Sequence, residues 1–304
     1  MILRRYGIYV AFVGVIVNLS VMCPLFLTWK NLLNIVRQSS IHGVMAVGMT
    51  FVILTAGIDL SVGSILALTG VLCASFEHAG LPVVLIVIAT LGIGALIGSV
   101  NGLIITKGKV TPFVVTLGMM SVARGLAHIY TEGQPISGFG GGFRYIGGGD
   151  FLFVPVPIII FVLTILIAAV ILRNTRLGRY TYAIGGNEEA ARLSGINVDR
   201  FKIAAYAISG FTAALGAIIL TSRLNAGESI AGTGYELDVI ASVVIGGTSL
   251  MGGRGSVWGT LIGALLIGII NNGMNLLVIP SYWQLVVKGS IIVGAALIDR
   301  LREK

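Results

Sequence analysis

A carboxylate in an apolar stretch is the first position at which this chain could do chemistry. Asp59 lies in ILTAGIDLSVGSILALTG (53–70) and is the sole Asp, Glu, Lys or Arg between residues 38 and 76. An unpaired charge in hydrocarbon is costly and is functional by default. Asp59 therefore lines a pathway or pairs with Arg254, or else it caps the following helix together with Ser61. Both interpretations stay open at this point.

A second carboxylate and several amides follow the same logic. The segment LDVIAS (237–242) loosely echoes DLSVGS (59–64), which makes Asp238 a counterpart of Asp59. Amides within apolar segments either bond to neighbouring helices or offer hydrogen bonds to a solute. The pathway candidates are Asp59, Ser61, Asn101, Asp238, Asn271, Asn272 and Asn275.

The sequence has no pattern typical of an enzyme. The phosphate-binding pattern G-x-x-x-x-G-K-[ST] is absent, so any energy from ATP has to come through a partner. His42, His78 and His128 are far apart and share no ligand spacing, which argues against a metal site. We therefore expect no catalytic residue, no metal ligand and no cofactor in this chain.

Composition indicates which elements must position these residues. Of 304 residues, 56% are hydrophobic and 11% are charged, against roughly a quarter charged in a soluble domain. We predict an all-α polytopic membrane protein, surrounded by lipid, because helices satisfy their own backbone groups in hydrocarbon. The apolar runs predict about ten spans, at 8–28, 40–57, 60–77, 82–105, 112–130, 154–172, 203–221, 236–249, 257–279 and 283–299.

The net charge of +8 reflects topology rather than a nucleic-acid partner. Basic residues cluster in short segments between apolar runs, and six of the twenty lie in 173–202. The positive-inside rule then places this loop and both termini in the cytoplasm. In that arrangement Asp59 lies where the second span turns into the third, on the cytoplasmic side.

An internal repeat supports a transport role. IGALIGSVNG (93–102) resembles IGALLIGIINNG (262–273), and the spans that carry them run in opposite directions. Inverted repeats, here with halves at about 40–130 and 203–299, are typical of transporters whose pathway lies between the repeats. Glycines four residues apart in both copies predict close helix packing. We treat residues 1–304 as one transmembrane permease domain.

The loop 173–202 contains a short helix of its own. In NEEAARLSG (187–195), Asn187 suits the N-cap, two glutamates suit the first turn and Gly195 suits the terminator. A surface helix in a cytoplasmic loop suggests a partner protein.

Three long blocks identify the family that the chain resembles. They are AVGMTFVILTAGIDLSVGSILALTG, TRLGRYTYAIGGNEEAARLSGINVDRFK and GTGYELDVIASVVIGGTSLMGGRGSVWGTLIGALLIGIINNGMNLL. Over about residues 31–298 the chain resembles the permease subunit of ribose-type ABC sugar importers. The first thirty residues and FGGGFRYIGGGD (139–150) lie outside the resemblance.

The resemblance implies a permease for a monosaccharide in the bacterial cytoplasmic membrane, with ribose expected first. It also implies a homodimer with one pathway, two ATPase subunits that hold ATP and Mg, and an extracytoplasmic sugar-binding protein. The helix in the loop then resembles the segment that couples to the ATPase, formed by Gly186, Asn187, Glu188, Glu189, Ala190, Ala191, Arg192, Leu193 and Gly195. The alternative is a self-sufficient ion-coupled secondary transporter or channel, in which the carboxylates would form an ion site.

Overall fold

The computed structural model describes residues 2–302 as helices joined by short connections. The helices are α1 (Ile2–Met22), α2 (Trp29–Leu54), α3 (Val62–His78), α4 (Val83–Lys107), α5 (Pro112–Thr131), α6 (Gly141–Gly148), α7 (Val156–Asn174), α8 (Arg176–Gly186), α9 (Glu188–Leu193), α10 (Val198–Leu224), α11 (Tyr235–Ile245), α12 (Val257–Leu276) and α13 (Ser281–Arg302). Four two-residue strands pair antiparallel, β1 (Ile136–Ser137) with β4 (Ala226–Gly227) and β2 (Asp150–Phe151) with β3 (Val154–Pro155). The all-helical class is confirmed.

Each predicted span coincides with a helix, although the count of ten membrane crossings stays a prediction. Five helices are long and apolar enough to cross a membrane: α4, α5, α7, α10 and α12. With 11 residues, α11 is about 16 Å long, roughly half of the hydrocarbon thickness. By contrast, α2 has 26 residues and begins at Trp29, well before the predicted boundary, because its polar first turns continue the helix beyond the apolar run.

Glycines bring the central helices together at backbone distance, as the spacing predicts. On α4, an added Cβ at Gly94 or Gly98 would overlap backbone carbonyls of α10, at Gly210 and Tyr206. On α12, Gly263 meets the backbone of α11 in the same way. Side chains as large as a methyl group would separate these helices, so the glycines serve tight packing.

The helix contacts fall into two matching sets. In one set, α10 packs on α4 and α3, and α3 packs on α5. In the other, α2 packs on α12 and α11, and α11 packs on α13. The two sets meet where α2 crosses α10, with Gly48 against Ser209 and Gly216 against Met45. Each set surrounds the first turn of a short helix, α3 or α11.

Candidate functional site

Asp59 lies in the first set of helices and has both carboxylate oxygens bonded. The connection between α2 and α3 carries it back into the bundle. One oxygen accepts from the backbone N–H of Ser61 at 3.0 Å and from the Ser61 hydroxyl, and the other accepts from the Ser209 hydroxyl of α10 at 2.7 Å. The Asn101 amide of α4 donates to the Ser61 hydroxyl at 2.9 Å. The carboxylate therefore joins the start of α3 to α10, and Ser61 links both to α4.

The two sequence interpretations of Asp59 can be compared with this geometry. Ser61 does occupy the N-cap position of α3, but its side chain makes no capping bond to the helix and donates to Asp59 instead. The salt bridges of the described residues include neither Asp59 nor Arg254. The carboxylate therefore orders the start of α3 by bonding the N-cap residue, and the proposed pair with Arg254 is wrong in this structure.

Asp59 also lies deeper than the sequence suggests. Its partner Ser209 is about 16 Å along α10 from Val198 at 1.5 Å per residue. Ser209 in turn faces Gly48, about 9 Å along α2 from its last residue Leu54. The chain turns at the end of the bundle that carries α9 and then re-enters, so Asp59 lies between α2 and α3, as predicted, but inside the bundle. The helix turn that follows shields the carboxylate completely.

The second set of helices surrounds Asp238, in the first turn of α11. Lys288 of α13 donates to Asp238 Oδ2 at 2.9 Å, and the Asn271 amide of α12 lies 3.5 Å from the same oxygen. His42 of α2 packs edge-on against Tyr235 with ring centroids 4.2 Å apart. Tyr235 and Asp238 are three residues apart and share one helix face. We call these five residues the Asp238 cluster.

We call Asp59, Ser61, Asn101 and Ser209 the Asp59 cluster. The two clusters differ in how many of their polar atoms have hydrogen-bond partners. Three buried atoms of the Asp238 cluster have no hydrogen-bond partner among the described residues: Asp238 Oδ1, Asn271 Oδ1 and His42 Nδ1. Around Asp59 the unpartnered atom is Asn101 Oδ1, whereas both carboxylate oxygens are bonded. Because buried polar atoms usually have partners, the Asp238 cluster is the one whose free atoms can bond a ligand or water.

The asparagines predicted for the pathway are in different surroundings. Asn272 exchanges two hydrogen bonds with Asn31 of α2, at 2.9 and 3.0 Å. This pair therefore links α12 to α2. Asn275 accepts from Gln284 of α13 at 2.9 Å. Asn271, in contrast, belongs to the Asp238 cluster and keeps a free oxygen. The structure therefore separates one candidate ligand group from two structural amides on α12.

The loop 173–202 folds into α8 and α9, and the predicted short helix is confirmed. The Asn187 side chain caps α9 by accepting from the backbone N–H of Ala190 at 2.9 Å. Gly195 ends it with a φ of 81°, a conformation that favours glycine. Ala191 is buried against the bundle, while Leu193 is 81% exposed. One face of α9 is thus anchored and the other is open.

Ion pairs tie α9 to neighbouring helices. Glu188 pairs with Lys202 and, at 3.3 Å, with Arg192. Arg192 lies 3.6 Å from Asp199, which accepts from Lys107 at 2.8 Å. Exposed pairs of this kind contribute little singly, but the chain of contacts fixes where α9 sits relative to α4 and α10.

The last turn of α8, just before α9, packs on two other chain segments through glycine backbones. An added Cβ at Gly185 would overlap the carbonyl oxygen of Leu54, at the end of α2, and the nitrogen of Gly253, in the α11–α12 connection. The Gly253 N–H donates to the Leu54 oxygen at 3.0 Å. A Cβ at Gly252 would lie 2.8 Å from the nitrogen of Ala56. We call these five residues the glycine junction.

Tyr182 reinforces the glycine junction from α8. Its hydroxyl donates to the carbonyl oxygen of Gly255 at 2.9 Å. Burial raises the pKa of Tyr182, so the hydroxyl stays protonated and keeps this donor at neutral pH. The contact holds α8 against the connection that follows α11.

Sequence reasoning missed several residues of these sites, among them Lys288, His42, Ser209 and Gly185. Lys288 offered a signal, because a lone lysine inside an apolar helix requires a partner. His42 was considered only as a metal ligand. Ser209 and Gly185 gave no signal, since single serines and glycines are common in membrane helices.

Comparison with known proteins identifies a family. Residues 31–296 match the family described as "Branched-chain amino acid transport system / permease component". No solved structure matches the chain. The helices and the family together make it a multi-pass protein of the cell membrane.

Several curated relatives are similar over almost their whole length. The ribose import permease protein RbsC of Bacillus subtilis (strain 168) is 52% identical over 301 residues, which cover 98% of this chain and 94% of the relative. RbsC of Haemophilus influenzae is 50% identical over 295 residues, with 96% and 91% covered. The D-allose transport system permease protein AlsC of Escherichia coli (strain K12) is 38% identical over 302 residues, with 99% and 93% covered. Because the family match covers most of the chain, the chain belongs to the permease family described as "Branched-chain amino acid transport system / permease component".

Proposed function

We propose that this chain is the permease subunit of an ATP-driven ABC importer for a monosaccharide, with ribose as its cargo. The observation that carries the proposal is the identity of about one half to ribose import permeases along nearly the full chain. In this proposal two copies form one pathway, a partner ATPase with ATP and Mg drives it, and an extracytoplasmic binding protein delivers the sugar. The chain itself contributes no catalytic residue.

The matching contact sets support the inverted repeat. Under the exchange of α2 with α10, α3 with α11, α4 with α12 and α5 with α13, the main helix contacts of one half become those of the other. The two clusters then lie at equivalent places, each at the start of a short helix. Discontinuous helices with polar first turns inside the membrane are typical of transport pathways between inverted repeats.

Orientation follows from the charges. The end that carries α8 and α9 holds the six basic residues of 173–202, so it faces the cytoplasm together with both termini. A cysteine placed at Asn187 is expected to react with an impermeant thiol reagent in inverted vesicles and to be protected in intact cells. Labelling in intact cells contradicts the orientation. The native thiols, Cys23 and Cys73, are buried and give little background.

We infer that α9 contacts the ATPase through its open face, which presents Glu189 and Leu193. Glu188 is engaged in ion pairs within the chain, whereas Glu189 is exposed and has no ion pair among the described residues. Movement of α9 reaches the membrane helices through the glycine junction, which contacts the end of α2 and the connection after α11. The contacts are between backbone atoms, with no flexible side chain between them. We therefore expect α9 and these segments to move together as one rigid body.

Charge reversal on the open face tests this contact. Glu189→Lys is expected to leave insertion and yield unchanged and to lower association with the ATPase about tenfold or more, because interfacial charge pairs dominate association between charged partners. Co-purification and sugar-stimulated ATP hydrolysis by the assembled complex measure it. Glu188→Gln is the comparison variant. It weakens the ion pairs of Glu188 within the chain and so tests the position of α9 on the bundle rather than its open face. Normal binding and hydrolysis by Glu189→Lys rule out this contact.

Reconstitution separates the importer from the ion-coupled alternative. Proteoliposomes with the permease, its ATPase and its binding protein are expected to take up ribose when ATP is supplied to the ATPase side. Without ATP, a sodium or proton gradient is expected to drive no uptake. Gradient-driven uptake by the permease alone would establish the secondary transporter instead.

A further inference from the structure

We propose that the Asp238 cluster binds a neutral polyhydroxylated solute of pentose size through its hydroxyl groups. The inference rests on the proposed function, because it assigns a sugar contact to the transport pathway of that importer. It is carried by the unpartnered atoms of the cluster, by its partial exposure and by its charge balance.

The cluster lies at membrane depth and is open on one side. Asn271 is about 8 Å from the last residue of α12, and Lys288 about 11 Å from the first residue of α13, at 1.5 Å per residue. Tyr235, Asn271, Lys288 and His42 are half-buried, whereas Asp238 is buried. Polar side chains at this depth do not face lipid without a large cost. Their open side therefore faces a water-filled pathway.

The unpartnered atoms define what the ligand must offer. Asp238 Oδ1 and Asn271 Oδ1 are acceptors, so they require O–H or N–H donors from the ligand. His42 Nδ1 donates or accepts according to its tautomer. Lys288 has three N–H groups, of which one donates to Asp238. Adjacent hydroxyl groups of a sugar supply donors and acceptors together, and the Tyr235 ring adds an apolar face.

The charges of the cluster argue against an ion. A cation at Asp238 Oδ1 would lie about 5 Å from the Lys288 ammonium, which bonds the other oxygen of the same carboxylate, and like charges at that distance repel strongly at low dielectric. An anion beside Lys288 would meet the carboxylate in the same way. The ion pair is neutral as a unit, so a neutral ligand is the one that gains hydrogen bonds without repulsion.

Comparison with the Asp59 cluster shows that this site is not a general feature of the fold. At Asp59 the chain supplies its own hydroxyl donors, from Ser61 and Ser209, and the carboxylate is completely buried. At Asp238, no serine or threonine of the described residues donates to Oδ1. At Asp59, protein groups donate to both carboxylate oxygens. At Asp238, one carboxylate oxygen is left for the hydroxyl group of a ligand.

Thermal unfolding of the purified permease–ATPase complex in nanodiscs tests the site without the binding protein. D-ribose, titrated to about 100 mM, is expected to raise Tm in a saturable way beyond sucrose at equal concentration, which corrects for general sugar exclusion. Asn271→Leu is expected to weaken the saturable component about tenfold or more, since it removes one acceptor and leaves Asp238 without its amide neighbour. Asn31→Leu makes the same chemical change at the Asn31–Asn272 pair and is expected to lower Tm while keeping the ribose response.

Each other outcome overturns the inference. A saturable response to NaCl or KCl against choline chloride, without one to ribose, identifies an ion site. No response in the wild-type complex identifies a cluster filled by water alone. An unchanged ribose response in Asn271→Leu places the sugar elsewhere. ATP-driven uptake of ribose by the wild-type complex is measured in parallel, because its absence contradicts the proposed function, whereas its presence with any of these outcomes contradicts the site alone.

Discussion

Gly185→Ala is expected to abolish most coupled transport while the chain still inserts into the membrane. The added methyl group cannot enter the glycine junction, because it would overlap the Leu54 carbonyl and the Gly253 nitrogen. Neither atom belongs to a flexible side chain, so the backbones must separate. Overpacking of this kind costs about 1–3 kcal/mol, which a large helical bundle tolerates, but it displaces α9 from the helices that it moves.

The measurements are ribose uptake and ATP hydrolysis by the assembled complex. We expect uptake to fall about tenfold or more, with ATPase binding retained and hydrolysis no longer stimulated by sugar, because the two ends of the coupling path are intact and their connection is altered. Gly186→Ala is the matched comparison, since a Cβ there meets nothing within 4 Å, and it is expected to lose far less. Equal effects of the two substitutions, or normal stimulated hydrolysis in Gly185→Ala, contradict a role for the junction.

Asp59→Leu is expected to reduce the yield of folded permease severely, and Asp59→Asn only mildly. Leucine leaves three donors without an acceptor in a closed site: the Ser61 N–H and the hydroxyls of Ser61 and Ser209. Each buried donor without a partner costs about 1–3 kcal/mol, so the total is large even for a membrane bundle. Asparagine keeps one acceptor oxygen, and the Ser209 hydroxyl can rotate to accept from its amide.

Detergent-extracted yield and thermal stability measure this difference, and uptake per folded molecule separates structure from transport. Because both oxygens of Asp59 are bonded within the chain, we expect Asp59→Asn to import ribose at a rate within a few-fold of wild type, in line with a small change in hydrogen bonding. Ser209→Ala is a useful companion, because it removes one of the donors and leaves the carboxylate. A well-folded Asp59→Asn protein without uptake shows that the charge itself is required for transport.

The class of the protein and the positions of its helices could be predicted because they depend on composition and local pattern. Each predicted apolar span coincides with a helix, since a helix in hydrocarbon must satisfy its own backbone. The cap at Asn187 and the terminator at Gly195 were also local, because both act within one turn. Glycine spacing on α4 and α12 predicted close packing, although not the partner helices.

What only the tertiary structure decided is which polar groups meet. Asp59 and Ser209 are 150 residues apart in the chain, and Asp238 and Lys288 are 50 apart, so no local pattern encodes either contact. The two carboxylates looked alike in the sequence. In the structure, Asp59 has both oxygens bonded by serines, whereas Asp238 pairs with a lysine through one oxygen and its other oxygen has no partner among the described residues. Likewise, Asn271 and Asn272 are adjacent, but on a helix neighbours point about 100° apart. One therefore bonds α2, and the other faces the cluster at which we place the sugar.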